Sequence, residues 1–148
     1  MTDSSEDLLV EDAAEAAKYR VYADTPLTEV VDLMVRRGLR AVPVVGERYE
    51  VLGIITTGDA LGRVLRDTRA DETEGERPLT ARDIMTRAVL CVSESQPLAD
   101  AARMMVNRKV EQLPVVRDGE LVGLITRNAV LRALHGEPKK EKDSQEEP

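Results

Sequence analysis

The residues best suited to chemistry in this chain lie together in Gly53-Ile54-Ile55-Thr56-Thr57-Gly58-Asp59. A β-branched apolar run ends at Thr56 and helix-forming sequence resumes near Gly58, so Thr56 and Asp59 stand three apart at a strand-to-helix junction, where both side chains can face one cleft. A carboxylate there accepts charge-assisted hydrogen bonds, and the adjoining helix start offers free backbone N–H groups and the positive end of the dipole. Gly58 leaves room for a close backbone approach. The same Thr-x-x-Asp spacing also makes a capping box, which needs no ligand. The residues by themselves leave both readings open.

Other side chains with chemical potential are scattered. Arg36, Arg37 and Arg40 form a basic cluster, echoed in part by Arg108 and Lys109. It could contact phosphate or another polyanion, or be the solvated charge that a helix C-terminus favours. Nucleic-acid binding through it finds little support, because only 2% of residues are aromatic and stacking platforms are nearly absent. Cys91 reads as a small core residue, with a reactive thiol as the alternative. His135 is the only histidine and precedes Gly136, a helix-end context in which a metal site has no partners. Met34, Met104 and Met105 read as core or interface filler. No glycine-rich phosphate loop, metal-ligand constellation or Ser/His/Asp set is present, so the chain does not read as an enzyme.

The 148 residues suffice for one domain, or two small fused units, with a core burying roughly 70% of the unfolded surface. That core must be built from Val, Leu, Ile, Ala and Met. The single cysteine excludes an internal disulfide and suits a reducing, cytoplasmic setting. No apolar run approaches the roughly 20 residues of a membrane span, and no signal peptide is evident. The formal charge of -7 is concentrated at the ends: residues 1–16 carry six acids and no base, and residues 136–148 carry five acids and three lysines. Residues 17–135 are therefore near +1 and do not repel an anionic ligand. The ends read as solvated tails, with Leu8-Leu9-Val10 able to add a short helix.

Positioning elements come as a repeat. Pro26 and Pro97, and Pro43 and Pro114, are 71 positions apart; Gly53 and Gly123, and Thr56 and Thr126, are 70 apart. Each copy reads as β-α-β-β-α. In the first, Arg20-Val21-Tyr22 is a short strand, Thr25 caps a helix with Pro26 at its first position, and Leu27, Val30, Val31, Met34 and Val35 form its apolar stripe. Gly38 ends the helix, Ala41–Val45 and Val51–Thr56 are strands, and a second helix runs to about Arg69. In the second copy, Leu98, Ala101, Ala102, Met105 and Val106 repeat the stripe, and Asp118-Gly119 signals a two-residue hairpin. The organisation reads as an acidic tail over 1–11, repeat 1 over 12–69, a charged linker over 70–80, repeat 2 over 81–135 and a charged tail over 136–148.

The helix opening with Pro, the h-P-V-h strand (h, hydrophobic) and the G-h-h-T motif, twice in order, resemble a pair of CBS domains, or Bateman module. The run Thr80-Ala81-Arg82-Asp83-Ile84-Met85-Thr86 resembles the lead-in such modules often show. The resemblance spans residues 12–135. It implies a mixed α/β fold, with the two repeats packed about a pseudo-two-fold axis. It also implies two clefts that in relatives bind adenine nucleotides or S-adenosylmethionine, and a disc-like homodimer.

By this resemblance the Gly53–Asp59 stretch would hold a ribose, with Asp59 accepting from both hydroxyls. Ala41, Val42 and Pro43, with Val21 and Tyr22, resemble the positions framing the adenine. The second copy departs: Ala129 stands where Asp59 does and Asn128 falls one position early, so the second cleft is expected to be empty, weak or filled differently. Arg127 could reach phosphates in the first cleft, or be an exposed helix-end arginine. The expected function is a regulatory sensor of AMP, ADP, ATP or S-adenosylmethionine, acting on a dimer or an effector protein and requiring no cofactor. The alternative is a ligand-free protein-interaction module.

Overall fold

The computed structural model describes residues 7–70, 78–87 and 89–136. The expected linker falls largely outside these, at 71–77, as do 1–6 and 137–148 of the charged ends. The described chain divides into two units: one is Lys18–Val89, and the other joins the residues up to Ala17 with those from Leu90 onward.

In the first unit, β2 (Val21–Tyr22) pairs parallel with β3 (Ala41–Val45), and β3 pairs antiparallel with β4 (Val51–Thr56). Helix α1 (Leu27–Arg37) crosses from β2 to β3, α2 (Thr57–Ala70) follows β4, and α3 is the single turn Ala81–Ile84. In the second unit β1 (Glu15–Ala16), β7 (Glu120–Thr126), β6 (Gln112–Arg117) and β5 (Val92–Ser93) lie in that order, with α4 (Leu98–Arg108) and α5 (Arg127–Leu134). The cores are aliphatic: Val21, Val30, Met34, Val42, Val44 and Ile55 in one, and Val10, Leu98, Met105, Leu113, Val115 and Ile125 in the other. Each such side chain contributes about 1.5–3 kcal/mol by burial.

Three expectations are corrected. Thr25 does not cap α1; its Oγ1 accepts from the Tyr22 amide at 2.9 Å and closes the turn after β2. Pro26 takes the N-cap position in extended conformation (ψ 144°), not the first helical position. The apolar stripe is also narrower than the periodicity implies. Val35 is 75% exposed and Val106, its counterpart, 73%. Gly38 does end α1 in the left-handed region, at φ 63°.

The N-terminal segment is built in, although it falls within the span read as an acidic tail. A 3-10 turn spans Val10–Asp12, and Val10 is fully buried. This segment repeats the one around α3. In both, the residue before the turn donates its amide to an aspartate three positions on, Leu9 to Asp12 and Thr80 to Asp83, at 2.8 Å. Both supply a carbonyl to the first amide of a long helix: Leu8 O accepts from Leu98 N at 2.8 Å, and Leu79 O from Leu27 N at 2.9 Å. These bonds satisfy helix-start donors that a proline N-cap cannot.

Candidate functional site

The sheet of the first unit delivers Thr56 to the start of α2, opposite Ala41 on β3. There Thr56 and Asp59 form a reciprocal pair: the Thr56 amide donates to Asp59 Oδ2 at 2.9 Å, and the Asp59 amide donates to Thr56 Oγ1 at 3.1 Å. The capping box is therefore real. It engages one carboxylate oxygen and leaves Oδ1 without a hydrogen bond among the described residues. Asp59 is half-buried and Thr56 exposed. A Cβ at Gly58 would meet only Thr56 Oγ1, at 3.7 Å, so the space before this helix start is open.

Thr86 is a third member that motif spacing does not reveal. Its hydroxyl donates to Asp59 Oδ2 at 3.4 Å from 27 residues away. It is held there by backbone pairing with Ile54, through Ile54 N to Thr86 O at 3.0 Å and Thr86 N to Ile54 O at 2.8 Å. Gly53 permits this approach, since a Cβ there would lie 2.7 Å from Thr86 O. The only advance signal was the recurring glycine of G-h-h-T.

Ala41, Val42 and Pro43 are buried beside the pair, with Ala41 facing Thr56 and Val42 facing Ile55. Val21 and Tyr22 are not brought to Asp59. They pair with Val44 and Val45 at the other end of β3, about 10–13 Å along the strand from Ala41. Val21 points into the core, while Tyr22 is exposed. Tyr22 belongs instead to a cluster with Arg20 and Tyr49. Arg20 donates to the Tyr49 hydroxyl at 2.9 Å and lies 4.5 Å from its ring centroid. The hydrogen bond from Tyr22, then Arg20, lowers the Tyr49 pKa below the usual phenol value. Tyr49 adopts φ 63° to reach this position, an uncommon conformation for an aromatic residue.

Arg127, the remaining candidate, is tied within its own unit: its Nε donates to Val110 O at 3.0 Å. Arg36 pairs with Asp32 on the exposed face of α1, and Arg37 stacks 5.6 Å from the Tyr19 ring. These contacts make the basic cluster a helix-surface feature. Burial raises the Cys91 pKa, which suppresses its thiolate. Among the described residues no group of His, Cys, Asp and Glu could hold a metal ion, and no helix is long and apolar enough to cross a membrane.

Comparison with known proteins bears on both repeats. The chain is 32% identical over 124 residues to an uncharacterised protein of Methanopyrus kandleri, covering 80% of this chain and 60% of that one. It is 30% identical over 135 residues to the chloroplastic CBS domain-containing protein CBSX2 of Arabidopsis thaliana, covering 76% and 57%. The chain thus spans only part of these relatives' length. The crystal structure of CBSX2 in complex with AMP superposes with a TM-score of 0.72 at 29% identity, over 84% of this chain and 94% of that one. The CBS domain pair of protein MJ0100, in complex with 5-methylthioadenosine and S-adenosyl-L-methionine, gives 0.68 at 25% identity, over 87% and 97%. The CBS domain pattern itself matches residues 10–66 and 81–136, and on that coverage the chain belongs to the CBS domain family.

Proposed function

We propose that this chain is a regulatory module that binds an adenosine ligand, an adenine nucleotide or S-adenosylmethionine, at the start of α2, and that occupancy biases an assembly or an effector protein. The observation that carries this reading is Asp59: one carboxylate oxygen is committed to the capping box and the other remains open beside an unobstructed Gly58. The open oxygen suits a ribose hydroxyl, and the α2 amides suit polar or anionic groups nearby. The AMP complex of CBSX2 and the adenosyl complex of MJ0100 support this ligand class. Binding regulates only through unequal affinity for two states, so the ligand must favour one of them.

Self-association is the simplest such equilibrium. Corresponding positions in the two repeats are exposed and apolar: Val35 with Val106, Leu61 with Leu131, and Val64 with Leu134. Scattered singly these would mean little, but their recurrence on the long helices supports a homodimer. No catalytic role is assigned, and the single half-buried cysteine suits a reducing, cytoplasmic compartment.

Calorimetry with AMP, ADP, ATP, S-adenosylmethionine and 5-methylthioadenosine tests the reading. Asp59→Ala should weaken the best ligand about 10- to 100-fold, from the loss of a charge-assisted bond worth roughly 1.5–3 kcal/mol. An affinity unchanged by Asp59→Ala would remove the assignment. No heat with any ligand would favour the interaction-module reading, which the exposed helix faces also support.

A further inference from the structure

The first unit carries a side-chain cluster that the adenosine-binding reading does not use. Arg20, Tyr22 and Tyr49 meet at the end of β3 away from Thr56, where β2 begins and the β3–β4 turn closes. Arg20 donates to the Tyr49 hydroxyl at 2.9 Å and lies 4.5 Å from its ring centroid. Arg20 also bonds the Tyr22 hydroxyl, and Tyr22 bonds Tyr49, so each of the three side chains touches the other two. Both rings remain open to solvent, Tyr22 at 41% and Tyr49 at 38%. They are two of the three aromatic residues in the chain. The second unit has no such cluster. Cys91 and Ser93 stand 71 positions after Arg20 and Tyr22, and its turn closes on Asp118 and Gly119, at φ 53° and 82°. Those are the residues a tight hairpin ordinarily uses. Tyr49 sits instead at φ 63°, a conformation that disfavours a ring and that the turn by itself does not require.

The cluster has donors to spare and no acid of its own. With Arg20 and Tyr22 both donating to the Tyr49 oxygen, the Tyr49 O–H is left to donate outward. Arg20 has no ion-pair partner among the described residues, and its Nε is shielded from solvent without a hydrogen bond. Arg48, in the same turn, has no ion pair among them either. Of the turn's two acids, Glu50 folds back to accept the Arg48 amide at 2.9 Å, and Glu47 is exposed. The matching corner of the second unit neutralises itself instead, with Arg117 donating to Glu94 at 3.1 Å. From this difference we infer that the Arg20–Tyr22–Tyr49 corner is a docking surface for an acidic peptide segment of a partner protein. Arg20 and the Tyr49 hydroxyl receive a carboxylate, and the two rings pack against the chain beside it. Arginine and tyrosine are residues that concentrate binding energy at protein interfaces. Their bonds to one another hold them in place before the partner arrives, which lowers the ordering cost of association. The corner gives the effector protein of the regulatory reading a place to dock, and it needs no ligand at Asp59.

The test is selection from a random-peptide display library on the intact chain, followed by calorimetry of the recovered peptides. Acidic peptides are expected. Arg20→Gln should weaken them about 10- to 100-fold, as loss of a charge-assisted hydrogen bond does, and Tyr49→Phe roughly two- to tenfold. Affinity should fall as salt rises. A carboxylate beside Tyr49 disfavours its ionised form, so saturating peptide should raise the Tyr49 titration midpoint in phenolate absorbance. A purely structural cluster would show no such shift. Thermal unfolding checks that each variant is folded; should Arg20→Gln not be, Tyr49→Phe and the titration shift decide. Asp59→Ala should leave the peptide affinity unchanged while weakening AMP, so this inference and the proposed function fail separately. No enriched peptide, enrichment of neutral or basic peptides, or acidic peptides that bind the variants as tightly as wild type would overturn the inference.

Discussion

Gly53→Ala tests whether the lead-in segment is held by backbone contact, as the geometry of the site requires. The new Cβ would lie 2.7 Å from Met85 Sδ, 2.9 Å from Met85 Cγ and 2.7 Å from Thr86 O. The methionine can turn aside, since its side chain is flexible. The carbonyl cannot, because it accepts from Ile54 N at 3.0 Å, and the adjoining Thr86 N donates to Ile54 O at 2.8 Å. Relieving the clash sacrifices or stretches two hydrogen bonds, at about 1 kcal/mol each. Against this, alanine recovers about 0.5–1 kcal/mol of the conformational cost of glycine in a strand. The net destabilisation is about 1–1.5 kcal/mol, which lowers the melting temperature by about 2–6 °C for a chain of this size. Gly123→Ala should behave alike, because its Cβ would meet Glu15 O at 2.7 Å. Thermal unfolding by circular dichroism measures the shift, and amide exchange at Ile54 and Thr86 should lose protection in Gly53→Ala. A melting temperature equal to or above wild type, with that protection retained, would refute the reasoning.

Gly58→Ala should do the opposite, because its Cβ meets nothing closer than Thr56 Oγ1 at 3.7 Å. Stability should hold or rise by up to about 1 kcal/mol, and AMP affinity should fall in calorimetry as the methyl narrows the approach. Tyr49 should titrate below the usual phenol value in phenolate absorbance, since Tyr22 and Arg20 favour its ionised form. With its folded pKa lowered from 10.0, its ionisation contributes stability fully present above that value and lost as pH falls through the folded pKa. Wild type should therefore gain on Tyr49→Phe in denaturant midpoint as pH rises toward and past 10.0. Leu61→Asp should convert the proposed homodimer to monomer in light scattering without loss of fold, because Leu61 is 61% exposed.

The repeat, the two long helices, the hairpins and the Thr56–Asp59 pair were legible because each is a local pattern. Helical stripes, Asp118-Gly119 and Thr-x-x-Asp all act within a few residues. The reading failed where distant segments compete for the same groups. Thr25 had the right chemistry for a helix cap, but its hydroxyl closes the Tyr22 turn and Leu79 satisfies the helix amide. Tyr22 and Thr56 belong to one sheet, but only the pairing shows that Tyr22 sits at the end of β3 away from Thr56.

Sequence by itself determined the family, the β-α-β-β-α order of each repeat and the Thr56–Asp59 pair, since periodicity and turn chemistry encode these locally. Only the tertiary structure decided which lead-in segment serves which unit. Glu15 meets Leu124 across more than 100 positions, and Thr86 reaches Asp59 across 27. A two-residue strand carries no periodicity to announce its partner. Its place is set by register against a glycine that admits its backbone, and that register brings Thr86 beside Asp59 and pairs Glu15 with Leu124.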